Sequence, residues 1–410
     1  MKRINTVITQ IGAMGAALVF SLSAQAAVQE IRATFVPDPS NPMVNRFENK
    51  TPQAGVCVSF MPARCKALGI FSLRLPGLSF VTKQAIEANH ENPRQGFMLT
   101  LPSDWRDVEV RHSTGETEVV QIRIAGIGGS WNLSYPPGVS AWARPGASWQ
   151  SMWQSAPAPC MSTNFLAAGA SYAQFFWLTP EGAGACARTP SLTIPYFRWS
   201  GIDYVYELRT PNPLSMRAGE YRGSLSYSIG RGMDFDMGDA LIPSIDTVAL
   251  NFVLSVEHAL KVDIPPGGNR IELIPEGGWQ AWLNRGRTPA RLYRDQTFRI
   301  AASSRFKMQL ECSIVMGNTC GLRNGTGDEV PVQVAVTLPG GIDGQGDQAV
   351  RRRPLRLDGS GTELFQPLFY VNDRPGTLHF EVLRDDMGEM LNRPGSTYSG
   401  VVTVIWDSQV

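Results

Sequence analysis

Charged side chains are scarce in this sequence, and their signs cancel. Lys and Arg number 37 and Asp and Glu 36 among 410 residues, so charged residues make up 18% of the chain and the formal net charge is +1. A chain so close to neutrality has no electrostatic footprint for nucleic acid, which argues against a nucleic-acid-binding role. The hydrophobic share is 43%, which argues against a disordered scaffold.

Few residues of this chain could carry catalytic or metal chemistry, and no sequence motif marks them. The chain has 4 histidines, and neither G-x-S-x-G nor H-E-x-x-H occurs. No C-x-x-C pair exists, so a zinc site has little support. The acidic clusters at 234–239 and 343–347 lack the closing Glu of a calcium loop and are typical of solvated turns. We expect no enzyme activity, no cofactor and no metal. A glycosidase is the alternative, because its two catalytic carboxylates can be far apart in the sequence and come together only in the fold.

Long apolar runs are missing except near the N-terminus. Lys2 and Arg3 precede an apolar stretch at 7–22, and small residues flank Gln25. This pattern predicts a signal peptide over 1–26, cleaved after Ala26, and an exported chain; an uncleaved anchor is the alternative. No later run reaches the roughly 18 apolar residues that a membrane-spanning helix needs.

The six cysteines agree with export to an oxidising compartment. Six thiols allow about fifteen pairings, and pairing sequence neighbours is the simplest of them. We therefore predict three disulfides, each closing a local loop: Cys57–Cys65, Cys160–Cys186 and Cys312–Cys320.

Alternation of apolar and polar residues is the dominant pattern along the chain. Valines alternate with other residues through 330–338, and apolar residues recur at every second position in 248–256 and 378–382. This period is typical of half-buried strands. Convincing helical faces are scarce, and 40 Gly and 29 Pro separate the short strands. The predicted fold class is all-β, with two immunoglobulin-like β-sandwich domains.

A short repeat within the sequence suggests where the two domains end. Residues 218–229 and 394–405 each contain a turn, a Tyr-x-Gly triplet and an alternating strand. If each is the late strand of a sandwich, the first domain closes near Ile229 and the second at the C-terminus, although chance could produce so short a match. The polar, acidic segment between them is typical of a linker. The predicted organisation is a signal peptide (1–26), an N-terminal domain (27–229), a linker (230–246) and a C-terminal domain (247–410).

Four stretches carry a resemblance to a known family. They are 47–57 (F-E-N-K-T-P-Q-A-G-V-C), 65–72 (C-K-A-L-G-I-F-S), the cysteine loop 312–320 and the terminal strand 398–407 (Y-S-G-V-V-T-V-I-W-D). Together with a signal peptide and two β domains, they resemble the tip adhesins of chaperone-usher pili, above all the colonisation-factor and cable-pilus initiator type and related fimbrial-like proteins.

The resemblance implies a pilin-type C-terminal domain whose sandwich lacks its last strand. Such a domain exposes an apolar groove that a periplasmic chaperone fills with one of its own strands. A neighbouring subunit replaces that strand during assembly at the outer-membrane usher, so the protein would pass through the periplasm to the cell surface. One wall of the groove would be lined by Val402, Val404 and Trp406, or by the opposite set Val401, Thr403 and Ile405. Only three residues follow Asp407, too few for a further strand.

A second alternating segment, near the N-terminus, leaves open whether the subunit lies at the tip of the pilus or inside it. Ile31, Ala33 and Phe35 could form a donor strand, which would make this an internal minor subunit. Pro37 and Pro39 cut the run short, which favours the first strand of the N-terminal domain instead. A tip subunit accepts a donor strand and gives none.

A tryptophan-rich stretch is the candidate receptor surface. Trp142, Trp149 and Trp153 lie in a Gly-, Pro- and Ser-rich segment with Arg144 between them. Aromatic rings stack on sugars, and Arg pairs with carboxylates, although large aromatics usually fill a core. The function predicted first is a tip adhesin or initiating subunit that binds a host-surface glycan or protein. The alternatives are a structural minor pilin or adaptor without receptor binding, and a secreted carbohydrate-active enzyme or carbohydrate-binding module.

Overall fold

The computed structural model describes residues 26–134, 136–285, 289–393 and 395–408. The predicted signal peptide lies almost wholly outside these ranges. The strands of the first half are β1 (Ala26–Phe35), β2 (Glu48–Asn49), β3 (Phe71–Arg74), β4 (Phe80–Thr82), β5 (Phe97–Leu99), β6 (Arg106–His112), β7 (Thr117–Leu133), β8 (Met161–Ala168), β9 (Tyr172–Leu178), β10 (Cys186–Arg188), β11 (Phe197–Arg209), β12 (Gly219–Ser228), β13 (Leu241–Pro243) and β14 (Thr247–Val256).

The strands of the second half are β15 (Leu260–Asp263), β16 (Ile274–Pro275), β17 (Arg291–Ala302), β18 (Phe306–Cys312), β19 (Val315–Met316), β20 (Thr319–Arg323), β21 (Glu329–Thr337), β22 (Ile342–Gly344), β23 (Gln348–Ala349), β24 (Arg353–Pro354), β25 (Gln366–Pro367), β26 (Val371–Leu383) and β27 (Val402–Ser408). The helices are α1 (Val56–Ser59), α2 (Pro62–Leu68), α3 (Trp149–Gln154), α4 (Gly278–Arg285) and α5 (Arg384–Leu391). The all-β prediction is confirmed, since no α-helix of the described residues exceeds 8 residues. None of these helices is long and apolar enough to cross a membrane.

The N-terminal unit is a twelve-stranded sheet that curls around one core. The long strand β7 makes this possible, because its first part pairs with β6 and its last part with β9. Side chains of β1, β4, β7, β11, β12 and β14 all enter the same hydrophobic cluster, so the sheet encloses its own core.

The first and last strands of the N-terminal unit pair with each other. β1 runs parallel to β14 over ten register positions, from Ala26 opposite Thr247 to Phe35 opposite Val256. The inward side chains of β1 are fully buried, with Ile31 at 0%, Ala33 at 2% and Phe35 at 1% exposure. The unit is therefore closed by its own chain, and β1 is its first strand, as the proline argument favoured.

All three predicted disulfides are confirmed. Cys57–Cys65 joins α1 to α2, and Cys160–Cys186 joins the start of β8 to β10. Cys312–Cys320 joins β18 to β20 in the C-terminal unit. Each bridge holds a short element whose few backbone hydrogen bonds would fix it poorly by themselves.

The predicted linker at 230–246 and the domain boundaries beside it are wrong. Phe235, Met237 and Leu241 are buried in the N-terminal core, and β13 pairs with β4. β14, assigned to the second domain from the sequence, pairs with β12 and β1 in the first. The two cores divide after Val256, and β12 is not a closing strand.

Three of the four acidic residues of this segment, Asp234, Asp236 and Asp239, are ion-paired rather than solvated. Asp236 accepts two hydrogen bonds from the Arg94 guanidinium at 2.8 and 3.2 Å and two from the backbone N–H groups of Gly232 and Gly238 at 2.9 Å. Asp239 also contacts Arg94, at 2.9 Å. Burial alone would raise the pKa of Asp236, but these hydrogen bonds outweigh it and hold the pKa below the ordinary 3.8.

The C-terminal unit is a sandwich with a specific strand order. Its first sheet has the order β15-β17-β26-β21-β20-β19, with β16 beside β17 and β24 beside β21, and its second pairs β18 with β27. Lettering β15, β17, β18, β21, β26 and β27 as A to F in chain order gives A-B-E-D within the first sheet and C-F in the second. The immunoglobulin constant-type sandwich has A-B-E-D and C-F-G. Within the described residues, the strand that would follow F is missing, as predicted.

Replacement of Asp236 by Asn should destabilise the N-terminal unit by about 2 kcal/mol, because the partly buried Arg94 loses the more buried of its two anionic partners. The pKa of Asp236 is lowered in the folded state, so its contribution is present above the unfolded value near 3.8 and is lost as the pH falls through the folded pKa. Urea unfolding of both proteins at pH 7 and pH 3 measures this difference.

The control is Asp107→Asn, because Asp107 is exposed and accepts one hydrogen bond from the Gln121 side chain. It should change stability by less than about 0.5 kcal/mol. Equal effects of the two substitutions at pH 7 would contradict the assignment.

Candidate functional site: the open edge of the C-terminal sandwich

Two strands of the C-terminal sandwich end their sheets without an outer neighbour. β27 pairs with β18, from Phe306 opposite Ser408 to Cys312 opposite Val402. β15 pairs with β17, from Leu260 opposite Ala302 to Asp263 opposite Arg299. No other strand of the described residues pairs with β27 or β15. The candidate site comprises the free edges of these two strands, whose apolar side chains pack against the same cluster, and the gap is the space beside them.

The alternation of β27 turns its bulky apolar side chains toward the core. Val402, Val404 and Trp406 pack against the C-terminal cluster yet remain partly exposed. The Trp406 ring lies 5.0 Å from the ring of Phe298 on β17 and 5.9 Å from that of Phe306 on β18. Trp406 therefore bridges the two sheets at the rim of the core.

Exposure rises abruptly from β18 to β27. The inward residues of β18 are buried, with Phe306 at 0%, Met308 at 1% and Leu310 at 2% exposure. Their register partners on β27 are all partly exposed. Apolar side chains beside a well-packed strand remain exposed when the next strand of the sheet is missing.

The last strand of the N-terminal unit shows what a completed edge looks like. Five alternating residues of β14 are exposed by only 0 to 2%: Val248, Leu250, Phe252, Leu254 and Val256. This strand is flanked by β12 and β1 on its two sides. β14 and β27 thus share one alternating pattern but differ in exposure, because β14 has a paired strand on both sides and, among the described residues, β27 has one on a single side.

The backbone of β27 is free on the same side. Phe306, Met308 and Leu310 donate their N–H groups away from β27, to the carbonyls of Phe365, Thr362 and Arg356. The alternate residues of β18 therefore pair with β27, and they lie opposite Thr403, Ile405 and Asp407. The N–H and C=O groups of Val402, Val404 and Trp406 point to the open edge, where no hydrogen bond with another described residue meets them.

The free edge of β15 has the same arrangement. The Ala259 carbonyl accepts a hydrogen bond from the Ser303 N–H at 2.9 Å, so 259, 261 and 263 face β17. Leu260 and Val262 then direct their backbone groups to the gap, while their side chains pack partly buried against the core. Both walls thus combine apolar side chains with unpaired backbone groups.

Such a gap can bind one kind of ligand well. An extended segment would satisfy the N–H and C=O groups of both walls and bury its alternate side chains against Val262, Val404 and Trp406. The charged residues lie on the other face, where Lys307 contacts Asp407 at 3.0 Å. The gap offers apolar contact and main-chain hydrogen bonds, and selects a strand with alternating apolar residues.

The sequence predicted residues on β27 but none on β15 for this site. The first of the two sets considered for β27 is the inward one; in the other set, Val401 is 64% exposed. Leu260 and Val262 were not predicted, although L-K-V-D alternates as β27 does. Four residues are too short a pattern to stand out, and only the tertiary structure packs them against the same cluster as β27.

Two of the four candidate receptor-binding residues lie in the N-terminal core. Trp142 is 2% exposed and Trp153 is 0% exposed, and both rings pack against Trp131. The prediction that these two contact a receptor is wrong, because a large aromatic cluster fills this end of the core. Trp149 is partly exposed, and Arg144 is exposed and donates from Nη2 to the Thr189 carbonyl at 2.9 Å.

The comparisons with known proteins give little detail. No family model matches the sequence, and no curated protein is significantly similar to it. A solved structure that it matches is the CsuC–CsuE chaperone–tip adhesion subunit pre-assembly complex from archaic chaperone-usher Csu pili of Acinetobacter baumannii. Identity is 10%, the match covers 94% of this chain and 99% of that chain, and the TM-score is 0.21. At that TM-score the superposition carries no argument, and the strand order and open edge are read from this chain alone.

Hydrogen exchange should alternate along β27 in the chain by itself. The amides of Thr403, Ile405 and Asp407 are bonded to β18 and should exchange slowly, whereas those of Val404 and Trp406 should exchange at least about a hundredfold faster. Residue-resolved NMR exchange measures both sets. Uniform protection along β27 would contradict an open edge, and β14, which is paired on both sides, is the internal control.

Proposed function

We propose that this protein is a tip adhesin or initiating subunit of a chaperone-usher pilus. The observation that carries the proposal is the A-B-E-D and C-F strand order with an apolar gap beside β15 and β27. A subunit with this gap cannot satisfy its own edge, so it depends on a strand from another molecule.

The open edge supports two successive partners. In the periplasm, a chaperone strand would lie between β15 and β27, pair with both backbones and keep Val404 and Trp406 out of water. At the outer-membrane usher, the N-terminal extension of an adjacent pilin would replace it. Because both strands use the same backbone groups, the exchange would leave the number of main-chain hydrogen bonds nearly unchanged.

The position of β1 supports a place at the end of the fibre. A subunit inside the fibre must give a strand to its neighbour, but β1 is held by β14 along its whole length and buries Ile31 and Phe35 in its own core. Withdrawing it would expose those side chains and the backbone of β14. The reading of β1 as a donor strand is therefore disfavoured, and the N-terminal unit is free to contact a host-surface glycan or protein.

A structural adaptor without receptor binding is the second candidate. The burial of Trp142 and Trp153 favours it, since the tryptophan-rich stretch then contributes more to the core than to the surface. The adaptor and the adhesin share the same open edge, so binding by the N-terminal unit separates them.

A charge placed in the gap should abolish capture by the chaperone. Val404→Asp and Val262→Asp each put a carboxylate where a donor strand would bury apolar side chains, and each should remove the periplasmic complex. Thr403→Asp and Lys261→Asp are matched controls, since these side chains are exposed on the same two strands. Co-purification with a tagged chaperone from the periplasm measures the complex.

Equal capture of the gap variants and their controls would contradict the proposal. Folding of the chain to a soluble monomer without any chaperone would also contradict the proposal. Immunogold labelling of assembled fibres then tests the position, and the expected result is label at the fibre ends and none along the shaft.

A further inference from the structure

One arginine of the N-terminal unit is partly buried without an acidic partner. Arg188 ends β10, with its guanidinium carbon 5.8 Å from the centre of the Trp177 ring. It donates from Nη2 to the Ser155 carbonyl. Its Nε is buried and has no hydrogen-bond acceptor among the described residues.

Other arginines of this unit are paired with carboxylates of the described residues, whereas Arg188 is not. Arg94 is bonded to the carboxylate of Asp236, Arg123 to that of Glu207 and Arg74 to that of Asp203, each through two nitrogens. No carboxylate of the described residues lies within ion-pair distance of Arg188. Burial and the nearby charge of Arg144 lower the pKa of Arg188 to about 10, so the group is still a cation at neutral pH.

Arg144 is a second cation held beside the first. It begins a tight hairpin in which Arg144 and Ala147 exchange backbone hydrogen bonds of 3.0 and 2.9 Å. Its Nη2 donates to the carbonyl of Thr189, the residue that follows Arg188. The two guanidinium groups are thus held by backbone carbonyls, those of Thr189 and Ser155, and neighbouring like charges repel each other unless an anion lies between them.

The surroundings are rigid and aromatic. The disulfide Cys160–Cys186 fixes β10 two residues before Arg188, and α3 ends just before Ser155. Trp149 on α3 is partly exposed and packs against Trp131, at 6.4 Å between ring centres. A flat sugar face can stack on a partly exposed indole, while a guanidinium pairs with a carboxylate through two parallel hydrogen bonds.

We propose that Arg144 and Arg188 form a subsite for the carboxylate of an acidic sugar, such as a sialic or uronic acid, with Trp149 against the sugar ring. The inference rests on the proposed adhesin function and names its ligand class. The carboxylate would supply the counter-ion that the chain itself does not provide, and Arg144, being exposed, would meet it first.

The experiment titrates the full exported chain with free N-acetylneuraminic acid, glucuronic acid, galactose and inorganic phosphate. Saturation-transfer NMR and tryptophan fluorescence detect binding. Both sugar acids, or one of them, should bind more tightly than galactose and phosphate, and binding should weaken as salt is added. Galactose binding as tightly as the acids, or phosphate alone binding, would overturn the proposal.

Arg144→Gln and Arg188→Gln should each lower the affinity for the sugar acid about tenfold or more, since each removes a charged donor. Arg64→Gln is the matched control, because Arg64 also donates only to backbone carbonyls, those of Ser162 and Thr163, and should change affinity less than about twofold. Because Arg144 is exposed, its variant should fold even if the Arg188 variant does not. Unchanged binding by the Arg144 variant would overturn the subsite.

The two proposals fail in different ways. A chain that is captured by the chaperone but binds no sugar acid keeps its place in the pilus and loses the subsite. A chain that binds sugar acids through Arg144 but needs no donor strand keeps the subsite and loses the proposed place in a pilus.

Discussion

The pairing of backbone groups at the two ends of a sheet decides how each half of this molecule behaves. A strand that buries alternate apolar side chains must also place N–H and C=O groups on both of its edges, and each buried group needs a partner. In the N-terminal unit, β1 provides that partner for β14 over ten positions. In the C-terminal unit, β15 and β27 stand at the edges of separate sheets, and no other strand of the described residues pairs with their outer edges.

The proposed function follows from this difference in closure. The N-terminal unit has a large core, a smaller cluster under α1 and α2, two disulfides and arginine–carboxylate pairs that fix its loops. The C-terminal unit buries Phe298 and Phe306 completely but leaves Trp406, which touches both rings, at the rim. The proposed place in a pilus rests on this unfinished unit, and the pairing of β1 with β14 supports the proposed position at the end of the fibre.

The arginines divide into two groups by their partners. Those that hold the fold, such as Arg94 and Arg123, are bonded to carboxylates from distant parts of the chain. Arg144 and Arg188 are bonded to carbonyls beside a rigid aromatic cluster. Arg64 is also bonded only to carbonyls, and what sets Arg188 apart is a buried Nε without an acceptor among the described residues.

The sequence by itself determined what depends on near neighbours. Period-two alternation predicted β14, β21, β26 and β27, because a strand's side chains alternate whatever lies beside it. Disulfides between cysteines 8 or 26 residues apart followed from their spacing. The inward set on β27 was one of two possible sets, since alternation fixes which residues share a face but not which face is buried.

Only the tertiary structure decided the domain boundary, the second wall of the gap and the fate of the tryptophans. The Asp-rich segment at 230–246 has the composition of a linker, but Asp236 is neutralised by Arg94, 142 residues earlier. Likewise β14 belongs to the first unit because β1, at the other end of that unit, pairs with it. Whether an indole is buried or exposed depends on how the sheet curls, and long-range packing of that kind leaves no trace in a local pattern.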